Sequence, residues 1–124
     1  LDAHYNSFQK QVLPECDRRR IGVIGMKALG SQNGRIPRDL GIDAPILRRF
    51  ALSLPISSLI CGIQSRQNLR QDVQMARNFQ PLTEGEVLAL LARSKEPAAS
   101  GEIEQYKVGN YGCDWWHNLE KSRS

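Results

Sequence analysis

Two short apolar runs, Ile21-Gly22-Val23-Ile24-Gly25-Met26 and Ser57-Ser58-Leu59-Ile60-Cys61-Gly62-Ile63, constrain this chain more than any other feature. Each has the length and continuity of a parallel strand buried on both faces, and each opens into a polar segment followed by a helical pattern. Strand, loop and helix, repeated, is the unit of an α/β fold, whose ligands sit at the carboxyl ends of the strands. The polar segments after Met26 and Ile63 are therefore where function is sought. Two strands make neither a closed barrel nor a covered sheet, so the chain reads as the last part of something larger.

The segments between the runs carry local signals. Ser7 offers an N-cap to a helix with Phe8, Val12, Leu13 and Cys16 on the face expected to pack on a sheet, and Pro14 interrupts or restarts it. The connection from Ala28 to Asp43 holds Gly30, Asn33-Gly34, Pro37 and Gly41. At about 16 residues it exceeds the usual strand-to-helix loop and reads as a mobile lid. Asp43 and Pro45 start a helix whose buried face is Ile46, Leu47, Phe50, Ala51 and Leu54, ended by Pro55. Ser65 caps a helix with Leu69, Val73, Ala76 and Phe79, and Thr83 with Glu86 forms a capping box before Val87, Leu88, Leu90 and Leu91. Residues 1–95 form one unit; residues 96–124 read as a linker and a polar, aromatic tail without periodicity.

Composition narrows the class. Apolar content of 40% and charged content of 24% are those of a folded domain rather than a disordered tail. No leader pattern and no long apolar run is present, so a cytoplasmic, membrane-free protein is expected. Cys16, Cys61 and Cys113 are too few and too far apart for a disulfide framework or a paired-cysteine metal site, and Cys61 reads as a small buried hydrophobe. The net charge of +4 arises in residues 1–62, mainly from Arg18-Arg19-Arg20 and Arg48-Arg49, which are expected at helix ends or on outer faces in solvent. Aromatic content of 6% and the lack of a long basic stripe argue against nucleic-acid binding. Cys113, Asp114 and His117 around Trp115-Trp116 fall short of a zinc signature, so no metal is expected.

The helix after Ile63 gathers Gln64, Ser65, Arg66, Asn68, Gln71 and Asp72 near its start, and the unpaired N–H groups of a helix start favour an anion such as phosphate. Here a family resemblance becomes specific. Ile21 to Gly30, Arg49-Phe-Ala-Leu-Ser-Leu-Pro55 leading to Ser58-Leu-Ile-Cys-Gly-Ile63, Asn68-Leu-Arg-Gln-Asp72, Ala76-Arg-Asn-Phe79 and Pro81-Leu-Thr together resemble the carboxyl-terminal part of an aldo/keto reductase. The resemblance runs from residue 1 to about residue 95, and Glu104-Gln-Tyr-Lys107 resembles the tail of one bacterial-type branch.

That resemblance implies an α/β fold, the C-terminal portion of a (β/α)8 TIM barrel, with the two runs as strands 7 and 8. It implies NADP as cofactor, with NAD as the alternative, and a carbonyl substrate for the complete oxidoreductase. Met26, Lys27, Ala28, Leu29 and Gly30, with Ser31 beyond, match the loop under the nicotinamide and pyrophosphate. Met26 replaces the usual stacking aromatic and Lys27 the usual serine. Gly62, Ile63, Gln64 and Ser65 match the strand end and helix start at the adenosine 2′-phosphate. Asn68 stands where a phosphate-binding arginine is common, which puts the NADP preference in question, and Gln71 and Asp72 match the adenine-contacting pair. The family's catalytic Tyr, Lys, Asp and His come from the first half of the barrel, so the segment is expected to hold no catalytic residue. Tyr5, Tyr106, Tyr111, Lys27, Lys107, His4 and His117 are suitable types outside any matching motif. His4 and Tyr5 fall in a loop the family places near the cofactor. The rival expectation is a non-enzymatic α/β module that assembles with a partner chain. In either case open strand edges imply self-association or aggregation of the isolated chain.

Overall fold

The computed structural model describes residues 3–30 and 34–108. The order is α1 (Phe8–Gln11), α2 (Leu13–Arg18), β1 (Ile24–Gly25), α3 (Arg35–Leu40), α4 (Ala44–Leu52), β2 (Ser58–Leu59), α5 (Arg66–Arg77), α6 (Glu84–Lys95) and a kinked 3-10 segment (Glu102–Lys107). The two strands pair in parallel, Ile24 with Ser58 and Gly25 with Leu59, giving a small α/β arrangement. The pairing is extended by the Ser57 N–H to the Val23 carbonyl at 2.7 Å and the Ile60 N–H to the Gly25 carbonyl at 2.8 Å.

The strands are shorter than the apolar runs that hold them. Among the described residues they have no other strand to pair with, and Ile24 is 63% and Met26 60% exposed, with Ile21, Ile60 and Ile63 also in solvent. Cys61 is half-buried rather than enclosed. The core lies elsewhere. Ile36, Ile42, Leu47, Phe50, Leu82, Leu90, Ala98 and Ile103 pack together, drawing on α3, α4, α6 and the segment that follows α6.

This core changes three expectations. The 28–43 connection is not a free lid over its described part: it contains α3, whose Ile36 is 1% exposed and sits in the core. Gly30 lies so close to Ile36 that a side chain there would collide with it, and its φ of +79° suits glycine. Arg93 from α6 donates to the carbonyls of Leu40 and Gly41 at 2.8 and 3.1 Å, satisfying the open end of α3. Second, the segment after residue 95, read as a linker and tail, buries Ala98, Ile103 and Glu104. Third, Arg48 is not on a solvent face; it is 4% exposed and ion-paired with Asp72 of α5. Its neighbour Arg49 donates to the carbonyls of Gln80 and Pro81.

Local signals hold. Ser7 caps α1, and α2 restarts with Pro14 in its first turn. α4 begins after Asp43 with Pro45 in its first turn, although the Asp43 side chain makes no cap bond. The expected sheet-packing face of the first helix is divided: Leu13 is buried, whereas Phe8 and Val12 are exposed.

Candidate functional site

Because β1 and β2 run parallel, the chain leaves both at the same end, and the two candidate segments begin there. After β1, Met26 stands in solvent and Lys27 adopts φ of +56°. A side chain in that left-handed region costs about 1–2 kcal/mol. The turn is closed by the Gly30 N–H donating to the Lys27 carbonyl at 2.8 Å, and Leu29 packs against the core. Ser31 lies outside the described residues. The Lys27 ammonium sits over the Tyr106 ring, 5.3 Å from its centre.

After β2, Gly62 faces open space, and Ile63, Gln64 and Ser65 are exposed. Ser65 is extended, and its hydroxyl accepts the Asn68 N–H at 3.1 Å, so it spends its side chain on capping α5. Asn68 is half-buried and Gln71 is exposed. Asp72 meets Arg48 through one carboxylate oxygen; its other oxygen, Oδ2, is buried without a hydrogen-bond partner. A buried acceptor left open in this way is costly, and an amino group of a purine base would satisfy it. The acceptor chemistry therefore fits the adenine contact implied for Asp72, while Arg48, absent from the matched motif, fixes the carboxylate's orientation.

A second polar cluster lies beside Lys27. The Tyr106 hydroxyl donates to Glu104 Oε1 at 2.8 Å, and Lys107 Nζ meets Glu104 Oε2 at 2.8 Å and the Tyr5 carbonyl at 2.9 Å. Glu104 is 3% exposed. Burial pushes its carboxyl upward, but the charge of the amino terminus and the bonds from Lys107 and Tyr106 outweigh this and hold it below the ordinary carboxylate range. His4 Nε2 lies 2.9 Å from Ser94 Oγ, which donates to the Leu90 carbonyl at 2.8 Å. Burial, reinforced by the amino-terminal charge and Lys10, lowers the His4 pKa below its ordinary 6.5.

Sequence reasoning named Tyr106, Lys107 and His4 as residue types but missed their partners Glu104 and Ser94. The spacing Glu104, Tyr106, Lys107 was the available signal. Tyr111, Cys113, Asp114, Trp115, Trp116 and His117 lie outside the described residues. Among the described residues no group of three or more His, Cys, Asp or Glu is placed to hold a metal, and no helix is long and apolar enough to cross a membrane. No family model, curated protein or solved structure matches the chain.

Proposed function

We propose that this chain is the carboxyl-terminal part of an NAD(P)H-dependent aldo/keto reductase acting in the cytoplasm, carrying part of the cofactor site and none of the catalytic set. The observation that supports the reading best is the parallel pairing of Gly25 with Leu59, which starts both resemblance-bearing loops from one strand end. In this reading Met26, Lys27, Leu29, Gly30 and Ser31 hold the nicotinamide and pyrophosphate side. Gly62, Ile63, Gln64, Ser65, Asn68, Gln71 and Asp72 hold the adenosine side. The bound cofactor supplies hydride; these residues orient it. Lys27 adds a cation near the pyrophosphate, and Asp72, fixed by Arg48, accepts from the base.

The test is co-expression with a chain holding the first six strand-helix units of an aldo/keto reductase, followed by an assay of NADPH-dependent aldehyde reduction. The expected result is a one-to-one complex that turns over, in which Asn68→Arg raises the preference for NADPH over NADH about tenfold, the worth of one charge-assisted hydrogen bond. A well-formed complex that binds neither nucleotide overturns the proposal. Saturable micromolar NADPH binding by the isolated chain contradicts the incomplete site. The rival, a non-enzymatic module with a partner chain, is favoured by the exposure of Ile24 and Met26 beside the strands. A single defined oligomeric mass for the isolated chain would support it.

A further inference from the structure

α5 packs on α4, yet none of its own side chains is fully buried. Its apolar residues Leu69, Val73 and Ala76 stand four and three positions apart, which is the d, a, d spacing of a coiled-coil seam. All three are exposed, Leu69 by 48% and Val73 by 39%. The side turned inward is polar instead: Asn68 is half-buried, and Asp72 is held by Arg48 of α4. In the same register Arg70 and Arg77 both occupy e positions, one heptad apart, along one flank of the seam. Both stand in solvent, and no ion pair with a described residue engages either of them.

We infer that this seam docks an acidic amphipathic helix of a partner protein, with aliphatic side chains against Leu69, Val73 and Ala76 and carboxylates facing Arg70 and Arg77. Valine at a and leucine at d favour a contact of two helices. Charge selects the partner. A second copy of α5 does not fit, because antiparallel packing sets Arg70 and Arg77 against their own copies. Parallel packing sets them against Asp72, whose side chain is only 12% exposed and already held by Arg48. A neutral helix would gain the apolar contact alone, and a basic one would be repelled. The inference does not rest on the reductase reading, because Asn68 and Gln71 occupy the c and f positions, off the seam.

The test titrates the full chain with two dye-labelled three-heptad peptides, both with leucine at a and d, one with glutamate and one with lysine at e and g, following anisotropy and methyl NMR shifts. The glutamate peptide is expected to saturate at submillimolar concentration and to shift the Leu69 and Val73 methyls. It should bind about tenfold tighter than the lysine peptide, since attraction at two arginines replaces repulsion at the same two. Raised salt should narrow that gap. Arg70→Glu with Arg77→Glu should reverse the preference, and Val73→Glu should weaken both peptides. Should Val73→Glu fail to fold, the methyl shifts in the unaltered chain decide the same point. Equal affinity for the two peptides, a preference unchanged in the double variant, or shifts centred on other residues overturns the inference. So does the absence of saturable peptide binding, whether the seam then takes phosphatidylserine vesicles, a second copy of the chain or nothing.

Discussion

Arg48 and Asp72 sit 24 positions apart and depend on each other for their charge to be tolerated, since Arg48 is 4% exposed and Asp72 little more. Removing one partner leaves an uncompensated buried ion, so Arg48→Met should cost about 3–5 kcal/mol in urea unfolding. Arg48→Met with Asp72→Leu should recover most of that loss, because both charges then leave together. Glu104 makes a related prediction with a pH signature. Its carboxyl is held below the ordinary range in the folded chain, so it stabilises above the unfolded carboxylate pKa and that contribution disappears as pH falls through the folded value. His4 has the same sign: lowered in the fold, it favours the folded chain fully above 6.5 and loses that contribution as pH drops below it. Glu104→Gln should therefore cost about 2 kcal/mol at pH 7 and flatten the acid limb of the stability curve. The Arg48–Asp72 pairing was not legible in the sequence, and for Glu104 only the three-residue spacing to Lys107 hinted at it. Arg48-Arg49 reads as a solvated pair because the acid that buries Arg48 arrives from another helix, and Glu104 falls in a tail with no periodicity to mark it.

At the scale of elements the sequence was more informative, because caps depend on residues three or four apart. Ser7, Ser65 and the reciprocal bonds of Thr83 and Glu86 appear as read, the last with the Thr83 N–H donating to Glu86 at 2.7 Å. Thr83→Ala should lower stability by about 1 kcal/mol and fray the first turn of α6, visible as faster amide exchange at Gly85 and Glu86. The strands and the 28–43 connection were read less well for the opposite reason. An apolar run becomes strand only as far as a neighbour bonds to it, and a glycine-rich connection becomes structure when one side chain, here Ile36, finds the core.

For the whole molecule, the apolar groups left beside the strands govern behaviour in solution. Ile24 and Met26 are exposed, and replacing Ile24 with Lys removes hydrocarbon from the surface without opening a hole in the core. Light scattering should then report a lower average mass at equal concentration, with the urea midpoint shifted by no more than about 0.5 kcal/mol in stability. A rise in mass, or a large loss of stability, would mean that Ile24 supports the fold rather than association. The α/β character was visible in the two runs; the displacement of the core was not, since periodicity names a buried face but not its partner.

The contact of His4 with Ser94 and of Lys107 with Tyr5 joins stretches ninety or more positions apart. Such a stitch closes nearly the entire described polypeptide into a loop, and its entropy is recovered only when front and back are formed together. Undoing it at the front with His4→Ala should hasten deuterium uptake at residues 98–107 while α5 exchanges as before, so that the first residues act as custodians of the last.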